Sequence, residues 1–268
     1  MKRAILVLAA LCLFSLISLA QKRQTFTTYQ DLLRDFDVKA VRLPPYYKGH
    51  NPAALYEVLR RLHPKKGEYE TTEKFNQKLD GYQNVITNHI YAFRIEDLNS
   101  PVKSYLDNYQ IAYDADTGSL KIKVGTYPTT ENGQLVNLKN YTQRRSTIAR
   151  NAFGAKVRVT TLVGFGYHLL YWTKKKPEIT IQMPPNIAQR IRQNIGILLV
   201  CQLTIPSDLN WPITSTMVET EATFASPEAT VFEVRVLSTY MYSVWIFNKA
   251  TGEVLNKINM EEDESEKK

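Results

Sequence analysis

An alternation near the middle of the chain, Ala155-Lys-Val-Arg-Val-Thr-Thr-Leu-Val-Gly-Phe165, constrains the fold more than any other stretch. Side chains of an extended chain point to opposite faces with a period of two. Val157, Val159, Thr161 and Val163 therefore share one face of a strand, and Lys156, Arg158, Thr160 and Leu162 the other. The pattern predicts a half-buried strand, one face packed and the other mostly wet. Gly154 before it, and Gly164 and Gly166 around Phe165, predict a turn or bulge, because glycine accepts positive φ and close backbone approach. Tyr167-His-Leu-Leu-Tyr-Trp172 then reads as a partner strand, followed by a loop of Lys174, Lys175, Lys176 and Pro177.

Charge is concentrated in the same segment. Between Glu131 and Glu178 stand nine Lys or Arg residues and no carboxylate. Arg144, Arg145, Arg150, Lys156, Arg158, Lys174, Lys175 and Lys176 would gather if the segment folds back on itself, creating a potential that attracts phosphate or carboxylate groups. Tyr141, Tyr167, Tyr171 and Trp172 would add stacking surface. The competing reading is a solvated basic face balanced by carboxylates elsewhere.

Met1-Lys2-Arg3, the apolar run from Ala4 to Ile17 and Ser18-Leu19-Ala20 have the positive start, short hydrophobic core and small residues of a secretory signal peptide. The expected mature chain begins at Gln21 and has no transmembrane segment. The formal charge is +8, and losing Lys2 and Arg3 leaves +6. Cys201 is then the sole cysteine, which excludes an intramolecular disulfide in an oxidising compartment. Its apolar neighbours, from Gly196 to Ile205, predict a buried, inert thiol in a strand covered on both faces.

Residues 21–80 read as a helical N-terminal region and 81–260 as a β-rich region, one globular unit, followed by a charged, disordered tail at 261–268. Phe26, Tyr29, Leu32, Leu33 and Phe36 have helical spacing within residues 24–37. Asn51-Pro52 opens a helix, cap followed by proline in the first turn, which His63-Pro64 ends. Thr71 or Thr72 would cap a short helix to Leu79, with Glu73 in its first turn. Val85 to Ile95, Glu178 to Gln182, Thr230 to Leu237 and Tyr240 to Phe247 read as strands, and Met183 to Asn194 as a short helix. Tyr109 to Tyr113 and Leu120 to Val124 read as a hairpin around Asp114-Ala-Asp-Thr-Gly-Ser119. Residues 208–223 are expected to be loop-rich. The predicted fold is α+β, with N-terminal helices packed on a mostly antiparallel sheet, barrel or sandwich left open.

Lys66-Gly-Glu-Tyr-Glu-Thr-Thr72, Tyr91-Ala-Phe93, Tyr113-Asp-Ala-Asp116 and Asn151-Ala-Phe-Gly-Ala155 follow one another in that order. In this the chain resembles a group of exported bacterial proteins of unassigned function, over most of residues 64–165. The resemblance implies a bacterial envelope setting, periplasmic or extracellular, and no particular chemistry.

Asp114, Asp116 and Gly118 lack the oxygen ligand and Glu that an EF-hand loop needs at Gly118 and Gly125. His50, His63, His89 and His168 show no metal-ligand spacing. Neither a nucleophile elbow nor a phosphate-binding glycine loop is present, and no cofactor pattern appears. The favoured reading is a non-catalytic protein binding an anionic polymer, lipid headgroup or acidic protein of the envelope. Export argues against nucleic acid as the partner. The alternative is an envelope hydrolase using Glu68 or Glu70 with His63 or His89, its site assembled from dispersed residues.

Overall fold

The computed structural model describes residues 34–95, 109–129, 133–150, 154, 156–172, 175–207, 209, 211–223 and 225–260. The expected signal peptide, Lys174 and the acidic tail lie outside these residues, as does most of the predicted first helix. Arg34 to Asp37, its expected end, are irregular.

Strands dominate. One open eight-stranded sheet contains β1 (Ile90–Arg94), β4 (Tyr127–Pro128), β5 (Gln134–Arg150), β6 (Lys156–Tyr171), β8 (Ile195–Leu203), β9 (Ile213–Thr220), β10 (Glu228–Asn248) and β11 (Val254–Asn259). A second sheet has three strands, β2 (Tyr109–Asp114), β3 (Ser119–Val124) and β7 (Glu178–Gln182). Every pairing is antiparallel except β6 with β10. The large sheet is thus mixed.

β10 is the axis of this sheet. Its 21 residues replace the two strands expected over 230–247, and a bulge between Met241 and Ser243 absorbs the irregularity. Its first half pairs with β6 and β9, its second with β8 and β11. Ser238 N–H donates to Pro212 O, and Ser238 O accepts from Thr204 N. Both groups of one strand residue face one edge, so β8 and β9 lie in line along that edge, with the chain leaving it after Thr204 and returning at Pro212. β9 corrects the loop expected over 208–223; its Ile213-Thr-Ser-Thr-Met-Val218 has the β-branched content of a strand.

β8 is buried on both faces, as its unbroken apolar run predicts. Ile197, Leu199 and Cys201 point into one cluster with Tyr91, Phe93, Val244 and Ile246. Leu198 and Val200 point the other way, beside Phe36, Leu43, Trp245 and Phe247. Residues 34–50 cover this second face. Leu43 N–H donates to Gly252 O and Tyr46 N–H to Lys249 O. Lys257 Nζ lies 3.5 Å from the centre of the Trp245 ring and donates to Ala40 O at 2.8 Å.

The larger cluster also contains Leu120, Ile122, Val124 and Ile179 of the small sheet and side chains of two helices, α1 (Pro52–Leu62) and α2 (Thr72–Thr87). Asn51 caps α1 by accepting from Ala53 N and Ala54 N. Leu59 is fully buried, contributing about 2 kcal/mol by area. Trp211 Nε1 donates to the Leu59 carbonyl, tying the 204–212 loop to this helix. α2 continues eight residues beyond its expected end at Leu79, and the strand expected from Val85 starts only at Ile90. The apolar spacing Phe75, Leu79, Tyr82, Ile86 keeps the helical period through Gly81, overriding the β-branched Val85-Ile-Thr87. A third helix, α3 (Pro185–Ile191), leads into β8.

Three of the four short motifs have structural duties here. Glu70 carboxylate accepts from Gly67 N, Thr71 Oγ1 from Lys74 N, and Lys66 Nζ donates to Thr72 Oγ1, so the first motif builds the start of α2. Tyr91-Ala-Phe93 is the buried centre of β1. Asp114 Oδ1 accepts from Asp116 N and Thr117 N, closing the β2–β3 turn, and the Thr117 hydroxyl, followed by these amides, holds its carboxyl below the usual range. Of the fourth motif, only Gly154 is described.

Candidate functional site: a projecting sheet with a basic face

The central basic segment does fold back on itself, as the hairpin of β5 and β6. Arg144 lies opposite Leu162, Ser146 opposite Thr160, Ile148 opposite Arg158 and Arg150 opposite Lys156. Directly opposed residues share a face. Arg144, Arg150, Lys156 and Arg158 therefore crowd one face of the outer hairpin, and all four are exposed. Arg145, opposite Thr161, lies on the other face and donates to Gln143 Oε1.

The remaining lysines are not part of this group. β6 runs on without a turn through Gly164 and Gly166, so Lys175 and Lys176 follow its far end, about 40 Å from Arg158 at the strand rise per residue. The two glycines answer a different need from the turn expected of them. A Cβ at Gly164 would overlap the Tyr141 carbonyl oxygen, and one at Gly166 the Asn140 side chain, so both permit close approach of β5.

β10 and β9 widen the hairpin into a four-stranded projection in the order β9, β10, β6, β5. From Gln143 to Arg150 every residue of β5 is exposed, as is every residue of β9 from Ser215 to Thr220. Valines 157, 159, 163 and 231 are half-buried on the face opposite the basic one. The alternation thus puts the four cations on one face and the valines on the other, where Arg145 and Glu219 stand at the two edges.

An arginine cage roots the projection. The Arg235 guanidinium lies 4.3 Å from the Phe165 ring centre and 5.6 Å from that of Tyr167. It donates to Glu233 at 2.8 Å, Tyr167 Oη at 2.9 Å and Glu57 of α1 at 3.4 Å. The hydrogen bond to Glu233 leads in raising its pKa. On the opposite face, His168 and Asn137 are buried side by side, and His168 Nδ1 and both polar atoms of the Asn137 amide have no hydrogen-bond partner among the described residues. Burial lowers the His168 pKa to about 4.

The residues of the hydrolase reading have other neighbours. His89 Nδ1 pairs with Asp35 at 3.0 Å, His63 lies against the Trp211 ring, and Glu70 caps its own loop. His50 accepts from Ala92 N and donates to Arg34 O. Burial pushes the Cys201 thiol up, away from the reactive thiolate.

Two cavities lie elsewhere. One of about 350 Å³ sits among Trp172, Pro206, Ser207 and Tyr240. Another, of about 460 Å³, is bounded by Met183, Ile187, Arg190, Glu253 and Leu255. Neither brings together the candidate acid–base residues. No family model, curated protein or solved structure matches the chain.

The alternation marked β6 as a strand, but its partner was expected at Tyr167 to Trp172; β5 was not read as a strand, because polar residues fill most of its exposed outer half. The distance to Lys175 and Lys176 was not legible, since glycine marks either a turn or a close approach. Arg235 was missed altogether: its partners come from β6, β10 and α1, distant in sequence.

Proposed function

We propose that this chain is an exported, non-catalytic binding protein that engages an anionic component of the bacterial envelope through the outer β5–β6 face. The observation carrying this reading is the grouping of Arg144, Arg150, Lys156 and Arg158 on one exposed face, with no ion pair to any described acid. Four unneutralised cations on a stiff sheet concentrate positive potential where a polyanion can reach it. The signal-like start and the resemblance to exported bacterial proteins supply the compartment. In this reading the helical N-terminal region packs on the sheet and holds the projection outward.

The test is binding of the mature chain to lipopolysaccharide and to an anionic wall polymer across a salt series. Beside it stand a quadruple Gln variant at Arg144, Arg150, Lys156 and Arg158 and a triple Gln variant at Lys174, Lys175 and Lys176. Each neutralised contact contributes about 0.7–0.9 to the log–log salt slope in nucleic acids, so the quadruple variant should lose about 3 from it. The triple variant keeps the slope. Equal slopes for all three proteins would reject the face as the site.

A further inference from the structure

The two edges of the projecting sheet differ in charge and run in the same direction. β5 and β9 are each antiparallel to the central parallel pair, so they are parallel to each other. Among the described residues each pairs on one side only along its exposed length: β9 with β10, and β5 with β6 beyond the short contact of Gln134 and Leu135 with β4. Edges of this kind are templates for further strand pairing.

Rows across the sheet give the heights of their side chains. Met217, Glu233, Phe165 and Tyr141 form one row, and Glu219, Val231, Val163 and Gln143 another on the same face. Glu221 follows Thr220, the last paired residue of β9, and extending that register by one puts it in the row of Ala229, Thr161 and Arg145. One edge thus presents Met217, Glu219 and Glu221, and the other Tyr141, Gln143 and Arg145, on the same face and at the same heights. Met217 is 54% exposed and Tyr141 39%. Glu219 and Glu221 form no ion pair with a described residue.

We propose that a second copy of this chain docks edge to edge here, its β5 pairing in parallel with β9 and extending the sheet by four strands per copy. Side by side without slip, Met217 of one copy lies beside Tyr141 of the next, and Glu221 beside Arg145. Apolar then meets apolar and acid meets base, while like-charged edges reject the reversed pairing of β5 with β5. The contact is heterologous, each copy offering one edge to each neighbour, so copies add in a row. The basic face carrying Arg144, Arg150, Lys156 and Arg158 stays open and repeats along the row.

Sedimentation velocity of the mature chain over a concentration series tests this, with Arg145→Glu and the double variant Glu219→Lys, Glu221→Lys. The wild type should self-associate, less so at high salt. Each variant alone should associate at least about tenfold more weakly, because like charges then face each other across the contact. An equimolar mixture of the two should recover association, since each supplies the edge that the other's altered edge now fits. Thermal midpoints near the wild-type value establish folding, and Arg145→Gln replaces Arg145→Glu if the latter unfolds. A wild type that stays monomeric throughout, or a mixture no more associated than its components, overturns the proposal.

Discussion

His168 is the residue at which acid acts on this fold. Its imidazole is buried and neutral, and burial holds its folded pKa at about 4, below the ordinary histidine value of 6.5. Between these values the unfolded chain binds a proton that the folded chain refuses, so stability rises with pH across that window. The contribution is fully present above pH 6.5 and is lost as pH falls toward 4. A shift of this size corresponds to about 3 kcal/mol. Urea unfolding of His168→Gln across the window should show a flatter pH dependence than the wild type; parallel curves would mean that His168 titrates alike in both states. The alternating pattern placed His168 in a strand, but burial on the face that bears basic residues farther out depends on how far the strand has entered the core.

Turns and covering segments decide stability at the element scale. Gly252 has φ +75° in the turn between β10 and β11, and a Cβ there would overlap the carbonyl oxygen of Leu43. Gly154 has φ +81° with nothing within 4 Å of an added Cβ. Gly154→Ala should carry only left-handed strain, about 1 kcal/mol. Gly252→Ala adds displacement of residues 34–50 and should cost well above that. Thermal unfolding of the two variants, with the larger drop at Gly252, checks the order. The turn itself has a local signature, Asn248-Lys-Ala-Thr-Gly252. What packs on it has none, because Leu43 lies some two hundred residues earlier and nothing local to either segment specifies the meeting. Helix caps were legible for the converse reason. Asn51-Pro52 and Thr71 act within a few residues of themselves, while the full length of α2 required weighing Phe75, Leu79, Tyr82 and Ile86 against a β-branched run.

Across the whole molecule, stability should be graded from core to projection. β8 and the second half of β10 are covered on both faces, whereas β9 and outer β5 are exposed edge strands. Amide exchange at low protein concentration should therefore be slowest for Leu198 to Cys201 and Val244 to Phe247, and fastest among strands for residues 143–150 and 215–220. Uniform protection across both groups would contradict a core that ends at the Arg235 cage. The central place of β10 also bears on how the molecule is made. Four strands, β6, β8, β9 and β11, take it as a neighbour, and three of these precede it in the chain. A ribosome-bound chain that has not yet reached residues 228–248 carries three strands without the partner that joins them, so the two halves of the large sheet stay apart until β10 has been made.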